Sequence, residues 1–174
     1  MQLEHITALN AQLHGHVLIC GYGRVGQSIG RFMRREQQAF IALDDDPERV
    51  QEAATEDSSV HYGDCRRGAL LSAVGLERAR LVVIAVDNSD VALVVLKEAR
   101  QINPDVPILV RTRDDSQLAE LKAAGASEVV PELLESSLML AAHALILLGL
   151  PDQQVQARVD EVRHNRYRLL HGFY

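Results

Sequence analysis

The sequence has no tryptophan, and aromatic residues make up 4% of its 174 positions. It has no low-complexity tract either. With 47% hydrophobic and 24% charged residues it reads as a globular α/β chain rather than a disordered or fibrous one. Two cysteines, Cys20 in an apolar run and Cys65 in a polar one, form no CxxC pair and no disulfide framework, which points to a reducing cytosol. None of the seven histidines pairs with another at metal-ligand spacing, and none stands in a recognisable acid–base or nucleophile pattern. No metal site and no catalytic residue is therefore expected. A basic excess is missing as well: the formal net charge is −6, and arginines gather only around 24–35 and 158–168, so no continuous nucleic-acid footprint is expected.

Residues 1–14 mix polar and apolar side chains throughout, without the basic-then-apolar order of a secretory leader. The longest strongly apolar stretch, Leu138 to Leu150, is too short to span a bilayer and carries His143 near its middle. It reads as a buried or interfacial helix, and this chain by itself is not expected to cross a membrane.

What is present is an alternation. The apolar runs 16–20, 39–43, 60–62, 81–86, 107–110 and 128–130 read as six strands, each followed by a segment of helical spacing. The run Leu81-Val-Val-Ile-Ala-Val86 has no polar face, as suits a parallel strand covered by helices on both sides. Such alternation requires crossover connections, hence a Rossmann-like doubly wound, mostly parallel six-stranded sheet with a long C-terminal helix. That helix is expected over 132–150, between Pro131 and Pro151. It is apolar on more than one face, so it either packs on the sheet alone or also forms a subunit interface. The expected divisions are a linker or helix over 1–15, a nucleotide-binding domain over 16–151 and an extension over 152–174. The extension is polar and basic until Tyr167 and then turns apolar from Leu169 to Tyr174, which fits a chain that is part of a larger protein.

The first strand runs into Gly21-Tyr-Gly23-Arg-Val-Gly26, and the second ends at Asp44, 18 residues beyond Gly26. Strand, glycine turn, helix and an acid at the next strand's end together form the dinucleotide-binding fingerprint. Gly21 serves the tight turn, Gly23 the approach of a phosphate, and Gly26 the close packing of helix on strand. The phosphate would rest on the N–H groups of Arg24, Val25 and Gly26, helped by the helix dipole. Asp44 would accept from ribose hydroxyls, and with Asp45 and Asp46 beside it a 2′-phosphate would be repelled, so NAD(H) or an adenosine phosphate is favoured over NADP(H).

Asp64 and Cys65 follow the third strand, where Asp64 either accepts from an adenine amino group or caps the next helix. Ala85, Val86 and Asp87 end the fourth strand beside the crevice. Arg111 and Arg113, placed just after the fifth strand, alternate so as to point to one side, toward a phosphate or carboxylate; Arg113 with Asp114 reads equally as a surface ion pair.

The segments Gly21-Tyr-Gly-Arg-Val-Gly-Gln27, Leu43-Asp44-Asp-Asp-Pro47, Tyr62-Gly-Asp64 and Val110-Arg111-Thr-Arg113-Asp114 closely resemble the regulator-of-potassium-conductance family, also called the KTN or TrkA N-terminal domain. Kef-type potassium/proton antiporters carry this domain at their carboxyl ends. The resemblance implies a homodimer or higher oligomer, in the cytoplasm at the inner face of the membrane, that gates an attached or associated potassium transporter in response to NAD(H), AMP or ATP. At matching positions Gly21, Gly23, Arg24, Val25 and Gly26 would hold phosphate, Asp44 the ribose, and Asp64 with Cys65 the adenine; Tyr22 and Asp45 are expected among the cofactor-binding residues beside them. Family members commonly carry alanine where Cys65 stands. Some Kef-type relatives are regulated by glutathione, for which no site is matched residue by residue here. A nucleotide lodged against the 132–150 helix would shift it and with it the dimer angle. The competing readings are a fragment of an NAD-dependent oxidoreductase whose substrate domain lies elsewhere, and a purely structural module that binds no nucleotide.

Overall fold

The computed structural model describes residues 2–56 and 59–167. The expected apolar end, Leu169 to Tyr174, lies outside them. The elements run α1 (Gln2–Asn10), β1 (Val17–Cys20), α2 (Arg24–Arg35), β2 (Phe40–Asp44), α3 (Pro47–Ala54), β3 (Val60–Tyr62) and α4 (Gly68–Ala73). A short 3-10 turn (Leu76–Arg78) leads to β4 (Leu81–Ile84), α5 (Ser89–Ile102), β5 (Ile108–Thr112), α6 (Leu118–Ala123), β6 (Glu128–Pro131), α7 (Glu132–Leu147) and α8 (Asp152–His164). The described residues fall into two compact units, one within Met1–Thr112 and Ser116–Val130, the other within Arg113–Asp115 and Pro131–Tyr174.

In the first unit, six strands form one sheet in the order β3-β2-β1-β4-β5-β6, and β1 pairs in parallel with both β2 and β4. The doubly wound architecture expected from the alternation is the one found. The order reverses between β1 and β4, the point at which ligands bind in such sheets. All four residues of β1 and all five of β2 are buried, which explains their unbroken apolar spelling. On one face Leu18, Ile84, Leu96 and Leu121 pack together; on the other Ile19, Ala42, Val83 and Phe40 meet Tyr22. Each fully buried aliphatic side chain contributes about 1.5–3 kcal/mol. The N-terminal helix α1 joins the first face through Ile6.

Three element ends differ from the sequence reading. β4 stops at Ile84, because Asn88 caps α5 by accepting from the N–H groups of Asp90 (2.9 Å) and Val91 (3.1 Å), and the chain must leave the sheet to reach that cap. Ala85 to Asp87 are therefore a loop. β5 extends through Thr112, whose buried hydroxyl lies 3.3 Å from that of Ser89, so Arg111 belongs to the strand and does not follow it. The helix expected over 132–150 ends at Leu147, since Gly149 adopts a left-handed φ of 92° and Pro151 follows.

The second unit holds a helix that the sequence reading passed over as a polar tail. Asp152 to His164 form α8, and Val155, Val159 and Val162 pack on Leu134, Leu138 and Ala142 of α7. Glu135 accepts from Arg163 at 2.8 and 3.0 Å and from the Tyr167 hydroxyl.

Candidate functional site

At the carboxyl end of the sheet, beside the β1/β4 reversal, lies an open cleft of about 210 Å³. Its floor is the loop between β1 and α2. Gly21 has φ 96°, and a Cβ there would stand 2.9 Å from the Val86 backbone nitrogen. A Cβ on Gly26 would stand 2.0 Å from the Gly21 carbonyl oxygen, so the chain itself demands glycine at this crossing. Gly23 is different. Its φ of −71° suits any residue, and a Cβ there would meet nothing nearer than Arg49, at 3.8 Å. The space over Gly23 is left open, as an approaching phosphate requires.

Gly23 is also the N-cap of α2, offering no side-chain cap, and the first turn carries no acid. The Gln27 N–H reaches back to the Gly23 carbonyl at 2.9 Å, which leaves the N–H groups of Arg24, Val25 and Gly26 ahead of the helix's own ladder. An uncapped first turn with its positive dipole end is an anion site in waiting. Arg24 is exposed there, whereas Val25 and Gly26 turn inward.

Asp44, buried at the end of β2, is fixed from two sides. One carboxylate oxygen accepts from the Tyr22 N–H at 2.7 Å, the other from the Asp46 N–H at 2.8 Å. Each oxygen retains a lone pair for a further donor. The Tyr22 ring points away from the cleft and stacks on Phe40, at 6.2 Å between centroids, so Tyr22 touches the site through its backbone alone. Asp45 is exposed at the rim. Asp46 caps α3 by accepting from Glu48 N–H at 3.0 Å.

Arg49, one turn into α3, went unnoticed in the sequence. Its guanidinium lies 3.6 Å from Asp44 and 3.8 Å from Asp46 on the wall of the cleft, next to the space over Gly23. The signal available was Asp44 followed five residues later by a cation, which means little until the Asp46–Pro47 turn folds the chain back.

The far wall is Gly63, Asp64 and Cys65. Of the two roles left open for Asp64, helix capping is not the one it plays: α4 begins at Gly68 with Arg67 as N-cap. Asp64 instead accepts from the Arg66 N–H and grips the Arg66 guanidinium at 2.7 to 3.1 Å, and that hydrogen bond holds its carboxyl below the ordinary value. Hydrogen bonding to Cys20, then burial, raises the Cys65 thiol well above its ordinary value, so it remains a thiol.

The near wall is Ala85, Val86 and Asp87, together with Asn88 and Val91. Arg111 reaches across from β5, donating to the Ala85 carbonyl at 3.0 Å and to the exposed Asp87 carboxylate at 2.7 Å. Arg113 does not share its side: it is exposed, lies in the second unit and does not line the cleft. The strand ends at Thr112, so Arg113 falls outside the alternation that would have put it on the side of Arg111.

Residues 17–132 match the TrkA-N domain. The chain belongs to the TrkA-N family. The family resemblance carried by the glycine turn and the acid after β2 is thus borne out. This TrkA-N chain is 46% identical over 158 residues to the putative K(+) efflux antiporter KefB of Alkalimonas amylolytica, a match covering 91% of this chain and 24% of the relative. It is 31% identical over 154 residues to the glutathione-regulated potassium-efflux system protein KefC of Klebsiella pneumoniae (strain 342), covering 88% of this chain and 25% of that one. The TrkA-N chain spans a quarter or less of the length of the curated relatives it matches. Among solved structures, the AMP-bound Kef CTD of Shewanella denitrificans superposes with a TM-score of 0.75 at 31% identity, over 90% of this chain and 95% of that one.

Proposed function

We propose that this chain is a cytoplasmic regulatory domain that binds NAD(H) or an adenine nucleotide, AMP or ATP, and thereby gates a Kef-type potassium efflux or potassium/proton antiport system, with no reaction of its own. The observation that carries the reading is the open space over Gly23 at an uncapped helix N-terminus, with Asp44 pre-fixed beside it. Phosphate lies on the α2 first turn, ribose against Asp44 and Asp45, and adenine toward Asp64 and Cys65. The likeness to Kef efflux proteins supports the transporter as partner, on the same polypeptide or a separate one. Among the described residues no helix is long and apolar enough to cross a membrane. The working divisions are an N-terminal helix or linker over 1–15, the nucleotide-binding domain over 16–151 and the extension over 152–174. The exposed Leu140, Leu147 and Leu148 on and after α7 support a homodimer or higher oligomer. Against an enzyme stand the partners of the cleft's groups: Asp44 accepts from two backbone donors, Asp64 from Arg66 and Asp87 from Arg111, and hydrogen bonding to Cys20 and burial push the Cys65 thiol up.

Isothermal calorimetry with AMP, ATP, NAD⁺, NADH and NADPH tests the reading, with Gly23→Ala as the key variant. Because the Cβ finds open space, the variant melts within about 1 kcal/mol of the parent. It loses at least about tenfold in nucleotide affinity, since the methyl group takes the phosphate's place. Failure of every nucleotide to bind the parent chain removes the proposal.

A further inference from the structure

We infer that Cys20 and Cys65 are a reversible modification site: a hydroperoxide joins them in a disulfide behind the cleft, and a thiol reductant reopens it. The consequence drawn below for nucleotide affinity rests on the nucleotide-binding reading; the cross-link itself does not.

The sequence holds two cysteines, far apart along the chain, and the fold brings them together. Cys20 ends β1, fully buried, with Leu43 as its strand partner on one side and Ile84 on the other. Cys65 stands in the loop between β3 and α4, and its Sγ lies 4.0 Å from the carbonyl oxygen of the same Leu43. Both side chains belong to one apolar cluster, and the two thiols share a hydrogen bond.

Position gives the two sulfurs different tasks. Cys65 lines the open cleft, so an oxidant small enough to enter meets it first; Cys20 is sealed behind it. The Cys65 sulfur attacks one peroxide oxygen, the O–O bond breaks, and the thiol proton leaves with the departing oxygen as water or alcohol. Cys65 is then a sulfenic acid. The Cys20 sulfur attacks it, the S–S bond forms, the S–OH bond breaks, and the Cys20 proton leaves in a molecule of water. The two electrons that reduce the peroxide come from the two sulfurs. Because the thiolate is the nucleophile, and Cys65 is held as a thiol, the first step is slow and answers to sustained oxidant. A thiol reductant restores the pair by exchange.

Closure moves one side only. Cys20 is fixed by strands on both flanks, whereas residues 63–67 belong to no strand or helix. Bringing the sulfurs to about 2.05 Å therefore draws Cys65 toward β1 and away from the adenine end of the cleft. Nucleotide affinity falls with it.

The test is hydrogen peroxide treatment of the folded chain, read by intact mass and by mapping of unreduced peptides, with Cys20→Ala and Cys65→Ala beside the parent. The parent is expected to lose two hydrogens, about 2 Da, to yield a linked Cys20–Cys65 peptide, and to regain its mass in dithiothreitol. Neither variant forms the link within the chain, and Cys20→Ala instead gains oxygen at Cys65. By calorimetry the linked parent binds AMP at least about fivefold more weakly than the reduced parent, and saturating AMP slows the linkage at least about threefold. An unchanged mass, oxygen added at Cys65 of the parent without linkage, or a bond between two chains instead overturns the inference. A linked chain with parental AMP affinity overturns the effect on the cleft. If AMP does not bind the reduced parent, the nucleotide-binding reading falls, and the mass measurements still decide the cross-link.

Discussion

The two units of the molecule are held together by different means. In the first, β1 is buried from end to end, and three carboxylates of the cleft stand at the carboxyl end of the sheet, each fixed by a donor: Asp44 by two backbone N–H groups, Asp64 by Arg66 and Asp87 by Arg111. In the second, α7 is buried along a single stripe against α8, leaves Leu140 and Leu147 exposed, and has one carboxylate, Glu135, gathering Arg163 and Tyr167. The first unit over-determines its geometry, because both sheet faces and the backbone crossing at Gly21–Gly26 enforce it. The second depends on a narrow apolar seam and one polar cluster, so single changes there act locally.

The comparison predicts three effects of decreasing size. Gly26→Ala drives a methyl group into the Gly21 carbonyl, backbone against backbone, and costs more than about 3 kcal/mol of the first unit's stability. Loss of the cooperative far-ultraviolet melt, or a midpoint lower by well over 10 °C, is the expected reading. A parent-like melt would show that the crossing is not rigid. Next, Leu134→Ala empties a fully buried position in the α7–α8 seam at a cost of about 3 kcal/mol. Hydrogen exchange should accelerate in α8 while the amides of β1 and β4 keep their protection. Equal acceleration in the strands would mean that the two units unfold as one.

Acid separates the units more gently, through two groups whose shifts act in different ranges. In the first unit, burial lowers the proton affinity of His16 from its ordinary 6.5; its Nε2 meets the Val74 carbonyl at 2.9 Å, and its buried Nδ1 has no partner among the described residues. The unfolded chain therefore takes up the proton first, so stability falls as pH drops below about 6.5. His61 is shifted downward by burial and adds in the same direction. In the second unit the Arg163 hydrogen bond lowers Glu135 from its ordinary 4.5, so its contribution is complete above that value and is lost as pH falls through the lowered one. Exchange followed from pH 7 to 4 should show β1 loosening before α8, and His16→Leu should flatten the earlier slope. Loosening of α8 first would contradict the assignment.

Much of the first unit was legible in the sequence because it rests on local rules. A strand buried on both faces spells itself in unbroken apolar residues, and the glycine turn with Asp44 carries its own spacing. Arg49 was hidden, since its place beside Asp44 arises from a turn and not from a pattern. The position of Arg111 within β5 was hidden because Thr112, a polar residue, ends the strand only after burying its hydroxyl beside Ser89. In the second unit the signal was present and outweighed: Val155, Val159 and Val162 recur at helical spacing, but the charged residues around them gave the segment the look of a solvated tail. A thin apolar seam is enough for a helix that has a single neighbour to cover.

The three glycines of the turn also answer to different judges. A library of variants selected for folding alone should drift at position 23, where alanine or serine finds room, and stay fixed at 26, where the chain's own carbonyl forbids any side chain. Selection for a response to ligand should freeze both positions. The loop thus carries its own internal control: tolerance at 23 together with intolerance at 26 marks a lineage that has kept the fold and given up the signal.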